Sequence, residues 1–306
     1  MKRLLFLLIF IPVFGFSQYT AIPDENFEKA LIQLGYDDVI DGKVLTENIS
    51  SIDSLGVSRK KISDISGIEA FTSLKRLDCR RNQLASLDLR KNTALTFLNC
   101  YANQLTSLDL RKNTALTYLS CSANRITTID LRKNTALTYL DCRNTQLTSI
   151  DLRKNKALTK LNCVHNQITR LNVRKNTALT NLVCGNNQIT RLNVRKNTAL
   201  KNLRCVNNQL TNLDVSNNTA LIYFYCSFNQ LTSLDVSNNT ALAELHCRDN
   251  QLISLDVSRC NALTEFRCVN NQLTSLDISN NTALIYFYCS GNKFDCEALR
   301  AKYNFR

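Results

Sequence analysis

Residues 95–115 read LTFLNCYANQLTSLDLRKNTA, and the frame they define decides the fold. Cysteine keeps the beat. Cys79, Cys100, Cys121, Cys142, Cys163, Cys184, Cys205, Cys226, Cys247, Cys268 and Cys289 follow one another at a constant step of 21 (100 − 79 = 21, 121 − 100 = 21). Within the unit, Leu98 and Cys100 alternate with Phe97, Asn99 and Tyr101, and period two marks a short strand. Leu98 and Cys100 are predicted to point inward and the alternating residues to face solvent. Asn103 is placed to turn the chain out of the strand, its amide satisfying backbone groups and stacking on the next Asn. Leu105, Leu108 and Leu110 return apolar side chains to the core.

Each coil then touches only its neighbours, and stability is a sum of unit and interface terms. Strands about 4.8 Å apart form one parallel sheet. The expectation is an α/β-type repeat solenoid, a right-handed coil with its sheet on the concave face and a short, irregular convex side. The repeats are similar to bacterial secreted or cell-surface leucine-rich-repeat proteins. They resemble in particular the internalin-like class with 21-residue cysteine-containing repeats, over Ile49 to Phe294. The units that carry the resemblance read L-x-x-L-x-C-x-x-N-x-L-x-x-L-D-V. It implies adhesion or protein binding by the concave face. One departure is that no wall-anchoring module is expected after Phe294.

The ends read differently. Met1, Lys2 and Arg3 precede an apolar run from Leu4 to Phe16, shorter than the roughly 20 residues that span a bilayer, which predicts a signal peptide over 1–17 cleaved after Ser17. Export to the cell surface, the extracellular space or the periplasm follows as an expectation, with no transmembrane segment after signal removal. Residues 18–48 are expected to form an N-terminal cap. Its helix, from Asp24 to Leu34, puts Phe27, Ala30, Leu31 and Leu34 on one face, with Asp24 as its cap. The solenoid proper runs over 49–294. Its first coil is degenerate, with Ile52, Leu55, Val57, Ile62 and Ile65 keeping the apolar spacing and Val57 in the cysteine slot. A helix from Cys296 to Tyr303, opened by Asp295, closes 295–306. The turn Asn is missing once, where Thr145 replaces it, and a local distortion is expected there.

Cysteine in an exported chain usually means disulfides. A parallel stack points its eleven ladder side chains the same way, which suits disulfide geometry badly. The ladder is therefore expected to be reduced and buried, cysteine acting as a small hydrophobe. Cys260, in the convex-loop Asn position, and Cys296, in the end cap, are expected to be free or buried thiols. No residue near the ladder completes a tetrahedral metal site.

Two surfaces are candidates. Phe97, Tyr118 and Tyr139 share one slot in successive coils, as do Tyr223 and Tyr286, with Tyr225 and Tyr288 two residues on. Together with Tyr101 and Phe228 they would form an aromatic concave face for a protein or glycan. The same stacking would equally serve to stabilise the sheet.

The second surface is basic. Formal charge is +13, or +11 without Lys2 and Arg3 (13 − 2), which favours anionic partners. Arg-Lys pairs recur from 90–91 to 195–196. Asp88, Asp109, Asp130 and Asp151 can offset the first four, and Asn172 and Asn193 replace them in the next two. No Asp or Glu lies between Asp151 and Asp214. The belt contains Arg170, Arg174, Lys175, Arg191, Arg195, Lys196, Lys201 and Arg204 as its proposed polyanion-binding residues, for an acidic polysaccharide, lipopolysaccharide or nucleic acid. Duplication of a solvated face would produce the same pattern.

Catalysis has little support. His246 precedes Cys247 in a strand, so their side chains oppose. His165 has no carboxylate in its unit. No phosphate loop, nucleophile elbow or metal signature is present. The expectation is a monomeric binding module without cofactor, metal or small-molecule substrate. A purely structural surface component is a further reading.

Overall fold

The structure, a computed structural model, describes residues 18–305; the expected signal peptide lies outside them. A 12-stranded sheet runs through the solenoid. Its first strand is Ser54–Gly56 and its last Tyr286–Tyr288, and every neighbouring pair is parallel. Strand centres pair leucine on leucine, as Leu98 on Leu119, with Phe224, Phe266 and Phe287 in the later coils. This is the expected leucine-rich-repeat coil, with its sheet on the concave face.

The core is one continuous column of buried leucine and cysteine, with Ile126, Ile168, Val194 and their equivalents on the return side. Leu55, Val57, Ile62 and Ile65 carry it into the degenerate first coil. A helix Glu25–Gln33 caps the N-terminal end and buries Phe27, Ala30 and Leu31. Phe27 meets Phe71 with ring centroids 6.4 Å apart. Asp24 does two jobs. One carboxylate oxygen accepts from Phe27 N at 2.9 Å, and the other accepts from Ser63 N, Ser63 Oγ and Asp64 N. Burial alone would raise its pKa, but these hydrogen bonds hold the carboxyl below its ordinary value.

Two columns of asparagine run the length of the coil. In the first, Asn103 Nδ2 donates to Cys79 O and Cys100 O at 3.1 Å, and its Oδ1 accepts from Leu84 N. Each amide thus ties its own coil to the preceding one. The turn it stabilises leaves the strand through a single left-handed residue, such as Ala102 at φ 55°. Outside glycine that conformation is uncommon, so the amide bonds help to hold it. In the second column, on the convex side, Asn113 Nδ2 donates to Leu89 O and Asn92 O at 3.0 and 2.9 Å. Cys260 takes this slot once and offers only long thiol contacts, 3.7 and 3.8 Å, to Val236 O and Asn239 O.

Thr145 does not distort the coil. Asn144 keeps the left-handed turn at φ 50°, and strand Tyr139–Asp141 stays in register with Lys160–Asn162. Thr145 Oγ1 reaches Cys142 O at 2.9 Å and Asn166 Oδ1 at 2.6 Å, so a shorter side chain fills the gap.

The cysteine expectation needs correction at the C-terminal end. Ten ladder cysteines, Cys79 to Cys268, are free and buried, and so is Cys260. The eleventh, Cys289, is bonded to Cys296, their Cα atoms 5.6 Å apart. The parallel-side-chain argument requires a further coil above the thiol, and Cys289 has none. Instead the helix Cys296–Lys302, with Asp295 accepting from Ala298 N, folds back over the last coil and brings a thiol from the opposite direction. Burial pushes ladder thiols such as Cys163 and Cys205 up to about 12, so they do not ionise at neutral pH.

Two outcomes follow. Alkylation of the native protein is expected to label almost nothing, while unfolding without reductant should expose 11 thiols and reductant should add the two of the disulfide; mass spectrometry reads the count. Cys260→Asn, which restores two amide bonds, is expected to raise stability in chemical denaturation by ~1 kcal/mol.

Candidate ligand-binding face

The concave face divides into two patches. In the first, Phe97, Tyr118 and Tyr139 stack in succession, with centroid separations of 4.3 and 4.4 Å and interplanar angles of 11° and 6°. Strand register places one ring directly over the next. The Arg76 guanidinium caps the column 3.5 Å from the Phe97 centroid. The rings are half-buried by one another and lend their faces to the stack. Beside them Asn99, Ser120 and Asp141 are buried, although they alternate with the core side and were expected to face solvent. Strand alternation sets direction, not accessibility. Burial raises the Asp141 carboxyl despite Arg143 Nε at 3.3 Å. Burial, then Asp141, pushes the Tyr139 hydroxyl up to about 12. Tyr101 lies at the edge, with Arg81 5.7 Å from its ring centroid.

The second patch occupies the later coils. Arg204 lies 4.4 Å over the Tyr225 ring, Tyr225 lies 4.4 Å from the His246 ring, and Arg267 lies 4.7 Å over Tyr288. These residues hold one slot on successive strands, so cations and rings interleave along the sheet. Phe228 is 44% exposed, and Arg248 covers one of its faces at 4.8 Å. Around them opens a hollow of ≈470 Å³, floored by Val164, Val183, Val206 and Gly185 and walled by Arg204, Tyr225, Phe228, His246, Arg248 and Arg267. A Cβ on Gly185 would stand 2.9 Å from Val206 O, so this floor needs glycine. Tyr223 and Tyr286 sit in the adjoining slot, both exposed.

Acidic groups lie on the same strands. Tyr225 donates its hydroxyl to Glu244, His246 Nε2 lies 3.0 Å from Glu265 Oε1, and Arg267 Nε donates to that same oxygen. Burial, then the Glu244 contact, raises the Tyr225 hydroxyl. Burial lowers the His246 imidazole, outweighing Glu265. Sequence reasoning passed over Glu244, Glu265, Arg248 and Arg267. The signal was available: Glu244 and Glu265 share the slot of Phe97 and Tyr118.

The basic belt is not one surface. Lys201 and Arg204 lie at the strand, Arg204 inside the second patch. Arg170, Arg174, Lys175, Arg191 and Lys196 are exposed outside the strands, on the return and turn segments. Arg195 is paired with Asp214 of the next coil, because Asn193 has replaced the carboxylate of its own coil. Earlier in the chain Arg90, Arg111, Arg132 and Arg153 each meet Asp88, Asp109, Asp130 and Asp151 through two side-chain nitrogens. The belt therefore begins where that column of pairs ends. A hollow of ≈520 Å³ near Asp64, Glu69, Asp88 and Arg90 is larger than the concave one. Asp88 there is already engaged by Arg90, and Glu69 accepts from Gly67 N.

Comparison with known proteins agrees with the geometry. The family model for Leucine Rich repeats (2 copies) matches residues 114–155. The functional domain of InlJ from Listeria monocytogenes, which includes a cysteine ladder, superposes with a TM-score of 0.86 at 39% identity, over 90% of this chain and 62% of that one. The chain has the leucine-rich-repeat fold and is similar to the internalins. It thus spans about three-fifths of the InlJ domain. The internalin InlF of the same organism matches at 24% identity and a TM-score of 0.77, over 94% of this chain and 95% of that one, and a leucine-rich-repeat protein of Leptospira interrogans matches at 24% and 0.65, over 77% and 72%. At that identity the likeness is one of fold. No curated protein sequence matches the chain. Among the described residues no helix is long and apolar enough to cross a membrane. Leucine-rich repeats of this kind are generally binding scaffolds rather than catalysts.

The stacked column has a measurable worth. Tyr118→Ala removes two ring pairs, each worth about 0.5–1.5 kcal/mol beyond area, and is expected to lower stability by ~2 kcal/mol in denaturant without altering the far-ultraviolet circular dichroism.

Proposed function

We propose that the chain is an exported, non-catalytic adhesion module that takes a protein or glycan ligand on the second concave patch. The carrying observation is the hollow of ≈470 Å³ in which exposed Phe228, half-buried Tyr225 and three arginines converge on an apolar floor. Aromatic and arginine side chains are the residues that most often dominate binding energy. The two patches differ in what they leave free. Phe97, Tyr118 and Tyr139 spend their faces on each other, so the first column supports the sheet. Phe228, Tyr286 and Tyr288 keep exposed ring area.

A second reading has its own observation. Arg170, Arg174 and Arg191 are exposed in a stretch without Asp or Glu, and among the described residues no salt bridge involves them. Repulsion between charges one coil apart, about 0.8 kcal/mol in water, would be relieved by a polyanion that releases counterions.

One pair of experiments separates the readings. Glycan arrays and captured surface proteins are screened with the native protein and with Phe228→Ser/Arg248→Ser, which is expected to lose at least ~30-fold in affinity. Retention on an immobilised polyanion is then followed across a salt gradient, beside a variant carrying Arg174→Ser, Lys175→Asn, Arg195→Ser and Lys196→Asn. Late native elution with early elution of that variant assigns the ligand to the basic segment. Coincident early elution, with binding lost only in the Phe228 variant, assigns it to the concave patch.

A further inference from the structure

Strands Glu244–His246 and Glu265–Arg267 are parallel neighbours, and their register sets Glu244 against Glu265 and His246 against Arg267. Glu244 and His246 alternate with buried Leu245, so both project from the concave face. Two like charges directly opposite on adjacent strands are destabilising. Arg267 offsets Glu265, but among the described residues no salt bridge involves Glu244, which takes only the Tyr225 hydroxyl. The imidazole of His246 lies beside this pair. One nitrogen and two carboxylate oxygens, one from each residue, lie within 4.8 Å of one another.

We propose that Glu244, His246 and Glu265 bind a first-row divalent metal ion, with Zn²⁺ as its representative. Three protein ligands of nitrogen and oxygen type, borne on two rigid strands, leave a fourth position open toward the concave solvent. A hard cation such as Ca²⁺ wants six to eight oxygens, which this triad does not offer, whereas imidazole selects for transition metals. The metal would bind the Nε2 lone pair of the neutral imidazole, whose single proton then sits on Nδ1. Arg267 is the competitor. Its Nε occupies Glu265 Oε1, while its guanidinium already lies over the Tyr288 ring, 4.7 Å from the centroid, ready to retain it there when the metal enters. The ladder thiols do not compete, since Cys247 alternates with His246 and is buried in the core on the other side of the sheet. The site stands independently of which ligand the concave face takes.

The test is equilibrium dialysis of tag-free protein against Zn²⁺ at pH 7.5, with denaturation curves confirming that each variant is folded. The expected result is one ion per chain. His246→Gln and Glu244→Gln should each weaken binding at least ~100-fold, more than loss of an outer partner costs. Arg267→Gln should tighten it by ~10-fold, because it frees Glu265. Co²⁺ bound in the same place should show weak visible bands without the intense near-ultraviolet absorption of thiolate ligation. A native chain that binds no ion below ~1 mM, a His246→Gln variant that binds as the native chain does, or a thiolate spectrum would each overturn the proposal.

Discussion

The carbonyls just past each three-residue strand, such as Cys79 O and Cys100 O, are met by asparagine side-chain amides, and everything else depends on these bonds. One Nδ2 supplies two donors, one to its own coil and one to the coil before, as Asn124 does to Cys121 O and Cys100 O. The bond that closes a turn is therefore also a bond between turns. Buried carbonyls left without partners would cost about 1–3 kcal/mol each. The leucines and cysteines supply most of the apolar burial, but they are non-directional. The amides fix the pitch and register with which that burial is stacked.

This division explains what could be read from the chain beforehand. A period of 21 and an alternation of two are properties of local sequence, and the coil, the sheet, the core column and the stacked turn asparagines such as Asn103 followed from them. The accessible face was less legible. Alternation says that Asn99, Ser120 and Asp141 point away from the core, yet they are buried. Arg195 reads as one of a row of free cations until the next coil brings Asp214 to it. Cys296 reads as a lone thiol until the last helix folds back on Cys289. In the last two cases the deciding partner lies 19 and 7 residues away and on another element, where a single-unit pattern is silent.

The concave face also shows how one template can carry different chemistry. Its first slot holds Phe97, Tyr118 and Tyr139, then Lys160, then Glu244 and Glu265 in later coils, on the same backbone geometry. Because each coil contacts only its neighbours, such exchanges are settled locally. Stacked rings reinforce the early coils, and the interleaved cations, rings and carboxylates of the later ones leave an open hollow. Mutual ring stacking and open aromatic surface are thus separated along the axis rather than between core and surface.

Uniform pitch makes the molecule a ruler. Each strand pair adds the same step of about 4.8 Å, so the spacing between Tyr139 and Tyr225, four strands apart, is set by how many units lie between them. Gain or loss of one whole repeat would leave every junction of the same type as before. It would move one patch relative to the other by a single increment. The reach of such a protein can therefore change in discrete, nearly neutral steps, while the chemistry at either patch stays as it was.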